Sequence, residues 1–150
     1  MKFFTRAWHT GGMTDAEFEA APGAYEAHLA ALDLPPSVLA LARADLHDGR
    51  IVAVDVDPAV ARLALTIRSG DRQVGYADVV LGFVRASIDD SSHGVLERAR
   101  GAAGVALLSH EVDRAGVGFE CRLRFYPSGE ATIRFGDVVV TRTPVVGRRV

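Results

Sequence analysis

The chain holds a single cysteine, Cys121, among its 150 residues. One thiol makes an intramolecular disulfide impossible and excludes a metal site built on several cysteines. Lysine is nearly as scarce: of the 17 basic residues only Lys2 is lysine and the rest are arginine, a bias that reflects genomic composition more than function. No stretch approaches the ~18 consecutive apolar residues of a membrane-spanning helix. The opening residues, Met1 to His9, lack the long apolar run of a signal peptide. A reducing cytoplasm is therefore the expected location. The formal net charge of −2 argues against general affinity for nucleic acid.

What is present is ordinary for a globular protein: 49 % apolar and 24 % charged residues. The length predicts one domain over residues 1–150, with a helical part at 1–46, a sheet part at 47–144 and a tail at 145–150. A chain of this size buries about 68–70 % of the surface its unfolded form exposes and needs no covalent staple. Charge is unevenly spread. Thr10 to Asp48 carries seven acids and one base, Arg43, whereas Arg114 to Val150 carries seven bases and three acids.

Lys2 to Trp8 reads as a short edge strand that Gly11-Gly12 ends. Thr14-Asp15-Ala16-Glu17 has the form of a capping box, with Thr14 as the N-cap. The helix it starts meets Pro22-Gly23. A second helix follows, with Tyr25, His28, Leu29 and Leu32 on one face. After Pro35-Pro36, Ser37 is expected to cap a third helix that buries Val38, Leu39, Ala42 and Leu46. The pattern then changes to period two. Ile51–Val56 places Val52, Val54 and Val56 inward. Ala61–Arg68 places Leu63, Leu65 and Ile67 inward. A longer strand is expected from Gln73 to Ile88, a helical turn from Val95 to Arg100 and a strand from Gly104 to Asp113. In the closing hairpin, Phe119, Cys121, Leu123 and Phe125 alternate with charged residues. Ala131, Ile133 and Phe135 do the same after the Pro127-Ser128-Gly129 turn. A last strand covers Val138 to Thr143. Helices followed by strands with short turns predict an α+β fold: short N-terminal helices packed on a mostly antiparallel β-sheet of meanders and hairpins. Strict alternation in Ala61–Arg68 and Phe119–Phe135 predicts a solvated outer face on both.

Several markers together carry a resemblance. They are Met1-Lys2-Phe3-Phe4-Thr5 with Trp8, then Tyr25 and Leu29, Leu34-Pro35, Leu46-His47-Asp48, and Thr132-Ile133-Arg134-Phe135-Gly136-Asp137. In this order the chain resembles a family of small bacterial cytosolic proteins, a domain of unknown function. The resemblance implies an α+β domain and no assigned activity. The strand half is also loosely similar to immunity proteins of bacterial toxin systems, which implies a protein partner.

The chemically capable residues are few. His47 and Asp48 sit where helices give way to strands, so a general base or metal ligand beside a carboxylate is conceivable there. Neighbours on a strand point to opposite faces, which favours instead a packed histidine and a turn-forming aspartate. Asp45, Asp48, Asp55 and Asp57 form an acidic run without the spacing of a calcium loop. His47, Asp55 and Asp57 are the weak metal candidates, although Asp57-Pro58 reads more simply as a turn. His110 is the third weak catalytic candidate; Glu111 beside it should point away. His28 belongs to an apolar face, and His9 and His93 are expected to be exposed. Cys121 faces inward as an inert thiol. No Gly-x-Ser-x-Gly elbow, phosphate loop or His-Glu-x-x-His helix is present.

The outer face of the closing hairpin carries Arg122, Arg124 and Arg134 with Glu120 and Glu130. Cross-strand ion pairing is the plain reading. An anionic docking surface, extended by Arg142, Arg148 and Arg149, is the functional one. Single-strand readers add exposed aromatics for stacking, and Phe119, Phe125 and Phe135 face inward here, so nucleic acid is disfavoured. These readings predict a cytosolic, non-enzymatic binding protein that docks a protein partner, with no cofactor, as a monomer or homodimer. An immunity-type role is its most concrete form. The alternatives are a small metal-dependent hydrolase using His47 and Asp48, and an RNA-binding protein using the arginine-rich hairpin.

Overall fold

The computed structural model describes residues 1–146. The chain is α+β, as the pattern predicts, but its strands form two four-stranded antiparallel sheets rather than one. The first sheet has the order β1 (Arg50–Asp57), β2 (Arg62–Asp71), β3 (Gly75–Val84) and β8 (Asp137–Pro144). The second has the order β4 (Ser87–Ile88), β7 (Glu130–Phe135), β6 (Gly118–Tyr126) and β5 (Ala106–Ala115). The change of sheet happens at Arg85. Its φ of 51° turns the chain out of β3, so the expected strand to Ile88 ends at Val84.

The inward residues of both sheets meet in one core. Leu63, Leu65, Ile67, Val79, Leu81 and Phe83 come from the first sheet, and Phe119, Cys121, Leu123, Ala131, Ile133 and Phe135 from the second. Phe83 and Phe135 touch across the two, ring centroids 5.0 Å apart. In β1 the expected alternation fails. A bulge between Ile51 and Ala53 resets the register, so Ile51 is buried while Val52 and Val56 are exposed.

Among the described residues, four α-helices close the flanks. α1 (Arg6–Thr10) replaces the expected N-terminal strand, because Thr5 accepts the Trp8 N–H and Gly11 ends the turn at φ 74°. α2 (Asp15–Leu32) starts with the expected capping box at Thr14 and Glu17. It does not break at Pro22-Gly23 but runs straight through. α3 (Pro36–Ala42) takes its fixed φ from proline at its start. Ser37 does not cap it; its hydroxyl donates to Asp137 Oδ1 at 2.7 Å, tying α3 to β8. α4 (Asp90–Ala99) is a full helix, longer than the expected turn, because Asp89 accepts the Ser92 N–H at 2.7 Å. α3 packs against β8 and β5, and α4 against β7 and β1, so each fills one open side between the sheets.

The helices also satisfy strand edges that would otherwise invite foreign pairing. The Tyr25 hydroxyl accepts the Val112 N–H at 2.7 Å on the β5 edge. Ser92 accepts the Thr132 N–H at 3.0 Å on β7, beyond the two residues of β4. Among the described residues, no helix is long and apolar enough to cross a membrane.

Candidate functional site

The N-terminal arm organises the site. The backbone N–H groups of Lys2, Phe3 and Phe4 all donate to the Glu111 carboxylate, each at 2.6 Å. The Met1 ammonium reaches Glu130 Oε1 at 2.9 Å. The arm therefore lies across the outer face of β5, β6 and β7, and Glu111 is only 2 % exposed. This corrects the expectation that the closing hairpin leaves its outer face to solvent. The cause is long-range: a row of strand carboxylates offers acceptors to an arm with no partners of its own.

The arginines of that face are engaged. Arg122 is paired with Glu120 and lies within 3.6 Å of Glu111 and 3.8 Å of Asp113. Arg124 is bonded to Glu130 at 2.6 Å. Both are half-buried, whereas Arg134 stands exposed, its Nε 3.9 Å from Glu120. Asp113 also receives His28 Nε2 at 3.1 Å, with the His28 ring packed on Phe3. Arg142 is exposed on β8, and Arg148 and Arg149 lie outside the described residues.

Beside the arm is a hollow of about 290 Å³. Phe4, Trp8 and Tyr25 form one wall, and Ala42, Leu46 and Leu108 the floor. Glu26, Asp45, His47, Ser109 and His110 supply its polar groups. Arg43 bonds Glu26 at 3.0 Å. Asp45 and His47 are exposed at the rim. A bulge in β5 between Leu107 and Ser109 turns Leu108 and Ser109 toward this side.

His47 and His110 line the hollow and His9 reaches it through Ser109, each in a different state of engagement. His110 donates Nε2–H to the Leu41 carbonyl at 2.9 Å, and burial holds its pKa below the usual histidine value. His9 is not exposed as expected. Its Nε2 is bonded to Ser109 Oγ at 2.8 Å, and burial, with the Arg124 and His47 charges, lowers its pKa. His47 is exposed, its Nδ1 3.1 Å from Asp48 Oδ2, on a turn where Asp48 takes φ 59°. The turn reading of the tripeptide thus describes its backbone, but His47 is not packed as expected: its ring stands in solvent at the rim.

The candidates His47, Asp48 and Asp57 do not share one hollow, although His47 and Asp48 touch. His47 lines this hollow, Asp57 a second one with Val56 and Ile88, and Asp48 a third with Arg50 and Arg68. Asp57 accepts the Ala59 N–H at 3.1 Å and so caps a short 3-10 turn. Among the described residues, no three His, Cys, Asp or Glu side chains gather as metal ligands would. Cys121 is buried and its thiol is pushed up to about 12 by burial. The sequence did not single out Phe4 or the His9–Ser109 pair as site residues, and it raised Asp45 only as part of an acidic run. Their partners lie up to a hundred positions away, and no local spacing announces them.

Compared with protein-family models, curated proteins and solved structures, the chain matches none.

Proposed function

We propose that this is a non-enzymatic binding protein that docks a protein partner, and that the hollow between the arm, α2, α3 and β5 takes a basic side chain of that partner. The observation that carries this reading is the lining: three aromatic rings beside carboxylates at the rim. The stem of an arginine or lysine packs on apolar surface while its head stays near water and a carboxylate. The ring faces add attraction for a cation. The seven-to-one excess of acids over bases in Thr10–Asp48 extends the same field over the rim and steers a basic partner inward. An immunity-type role fits this mode of action, since neutralising a toxin requires only a complementary surface.

Trp8 is the only tryptophan, so its emission reports on the hollow directly. Titration with a short acetylated arginine-containing peptide is expected to change that emission saturably, and Asp45→Arg to abolish the response. A response equal to that of a glutamate-containing control peptide sinks the proposal.

One observation favours a second reading. Ser109 is bonded to a neutral-leaning His9 at the edge of the same hollow, and His47 and His110 open onto it. A hydrolase at this position requires turnover of an ester that is lost in Ser109→Ala or His47→Ala variants with unchanged thermal unfolding. The arrangement favours binding, because His110 is already committed to a backbone carbonyl.

A further inference from the structure

Helix α1 and the turn between β6 and β7 border another hollow, of about 360 Å³. It lies beside the first. Leu108 lines both, and the His9–Ser109 bond links them, with Ser109 on the first and His9 on the second. Phe125, Tyr126 and Pro127 supply apolar surface.

The charges of this hollow do not balance. Arg6 and Arg124 line it as cations, and Glu130 is its one lining carboxylate. That carboxylate is committed twice: Oε1 accepts from the Met1 ammonium at 2.9 Å, and Oε2 from Arg124 at 2.6 Å. Three cations therefore share one anion. Arg6 is exposed and forms no ion pair among the described residues. The Arg124 Nε is buried and has no hydrogen-bond partner. Among the described residues it is the one buried side-chain nitrogen or oxygen in that state. A buried donor without an acceptor weakens a fold, so native proteins rarely leave one. The unmatched charge also reaches His9: after burial, the Arg124 guanidinium is the next cause that holds its pKa down.

We infer that this hollow binds phosphate, free or as a small monoester, between Arg6 and Arg124. Guanidinium forks match phosphate oxygens in geometry and hold them through charge-assisted hydrogen bonds. A dianion offsets both cations that Glu130 leaves unmatched, whereas a carboxylate offsets only one. It also brings acceptors to Arg124 that the protein does not supply. Ser128, exposed on the turn, adds a hydroxyl donor. Tyr126, 57 % exposed, offers a ring on which the body of a monoester can pack. The two neighbouring hollows then take groups of opposite sign.

The test follows the His9 ring by NMR while inorganic phosphate replaces chloride at constant ionic strength. His9 is bonded to Ser109 and feels the charges of Arg124 and His47. An anion beside Arg124 favours the protonated ring, so the His9 pKa is expected to rise and to saturate with phosphate. Arg6→Gln, at an exposed position, is expected to weaken phosphate binding about tenfold without altering thermal unfolding. A His9 titration that phosphate leaves unmoved, or moves without saturation, overturns the proposal. So does a response that Arg6→Gln leaves intact. Phenyl phosphate separates the two sources of the ligand. Binding tighter than that of inorganic phosphate assigns the site to a monoester packed on Tyr126, and equal or weaker binding assigns it to the free ion.

Discussion

Trp8 donates its indole N–H to the carbonyl oxygen of Phe18 at 3.1 Å, and the two rings stack with centroids 4.7 Å apart. Phe18 is the residue four positions before Pro22, whose missing N–H leaves that carbonyl without its helical donor. A side chain from α1 thus replaces the bond that proline removes, and α2 continues where a break is expected. The same contact holds Trp8 in the wall of the hollow.

Pro22→Ala restores a backbone donor to Phe18 and removes the steric cost of an interior proline, about 3 kcal/mol at most. The variant is expected to unfold at higher urea concentration. Trp8→Phe keeps the ring and loses the bond, at about 1 kcal/mol. In Trp8→Phe/Pro22→Ala that loss should vanish, since the backbone N–H then serves the carbonyl. Urea denaturation of the four proteins forms a double-mutant cycle that reads the coupling directly.

Glu111→Ala removes the acceptor for three arm N–H groups and one partner of Arg122. The expected cost is about 2–3 kcal/mol. Trp8 emission should move to longer wavelength as the arm leaves the sheet and the wall of the hollow opens. Glu111→Gln keeps one oxygen for Phe3 and Phe4 but turns an amide against the Lys2 N–H, so it should fall between. An unchanged emission maximum in Glu111→Ala would show that the carboxylate does not hold the arm.

Stability should fall in mild acid. His110 and His9 both have folded pKa values below the usual histidine value of 6.5, chiefly through burial. As pH drops through that value the unfolded chain takes up protons that the folded chain refuses. The stabilisation is therefore complete above the unfolded pKa and is lost as pH falls toward the folded one. His110→Gln should flatten this slope, measured as urea midpoints from about pH 7 down to about pH 5.

The strands were legible where one face is buried and period two survives, as in Leu63, Leu65 and Ile67, or Phe119 to Phe135. The capping box at Thr14 likewise marked the start of α2. Tertiary contacts decided the rest. Pro22 breaks a helix by local rules, and only a tryptophan from another element cancels that effect. Glu111 reads as a solvated strand residue until an arm 108 positions earlier covers it. The bulge at Val52 overturned the alternation of β1 without any glycine or proline to announce it. The hollow was least visible, because its lining runs from Phe4 to His110 and its charged rim was readable only as a general excess of acids.

The most direct test of the binding reading compares tagged wild-type protein with Asp45→Arg in a pull-down from native-host lysate at moderate salt, read by mass spectrometry. The account predicts one protein held in stoichiometric amount by the wild type and lost from the variant, with both baits equally folded. A partner retained equally by Asp45→Arg, or no stoichiometric partner for the wild type, would contradict it.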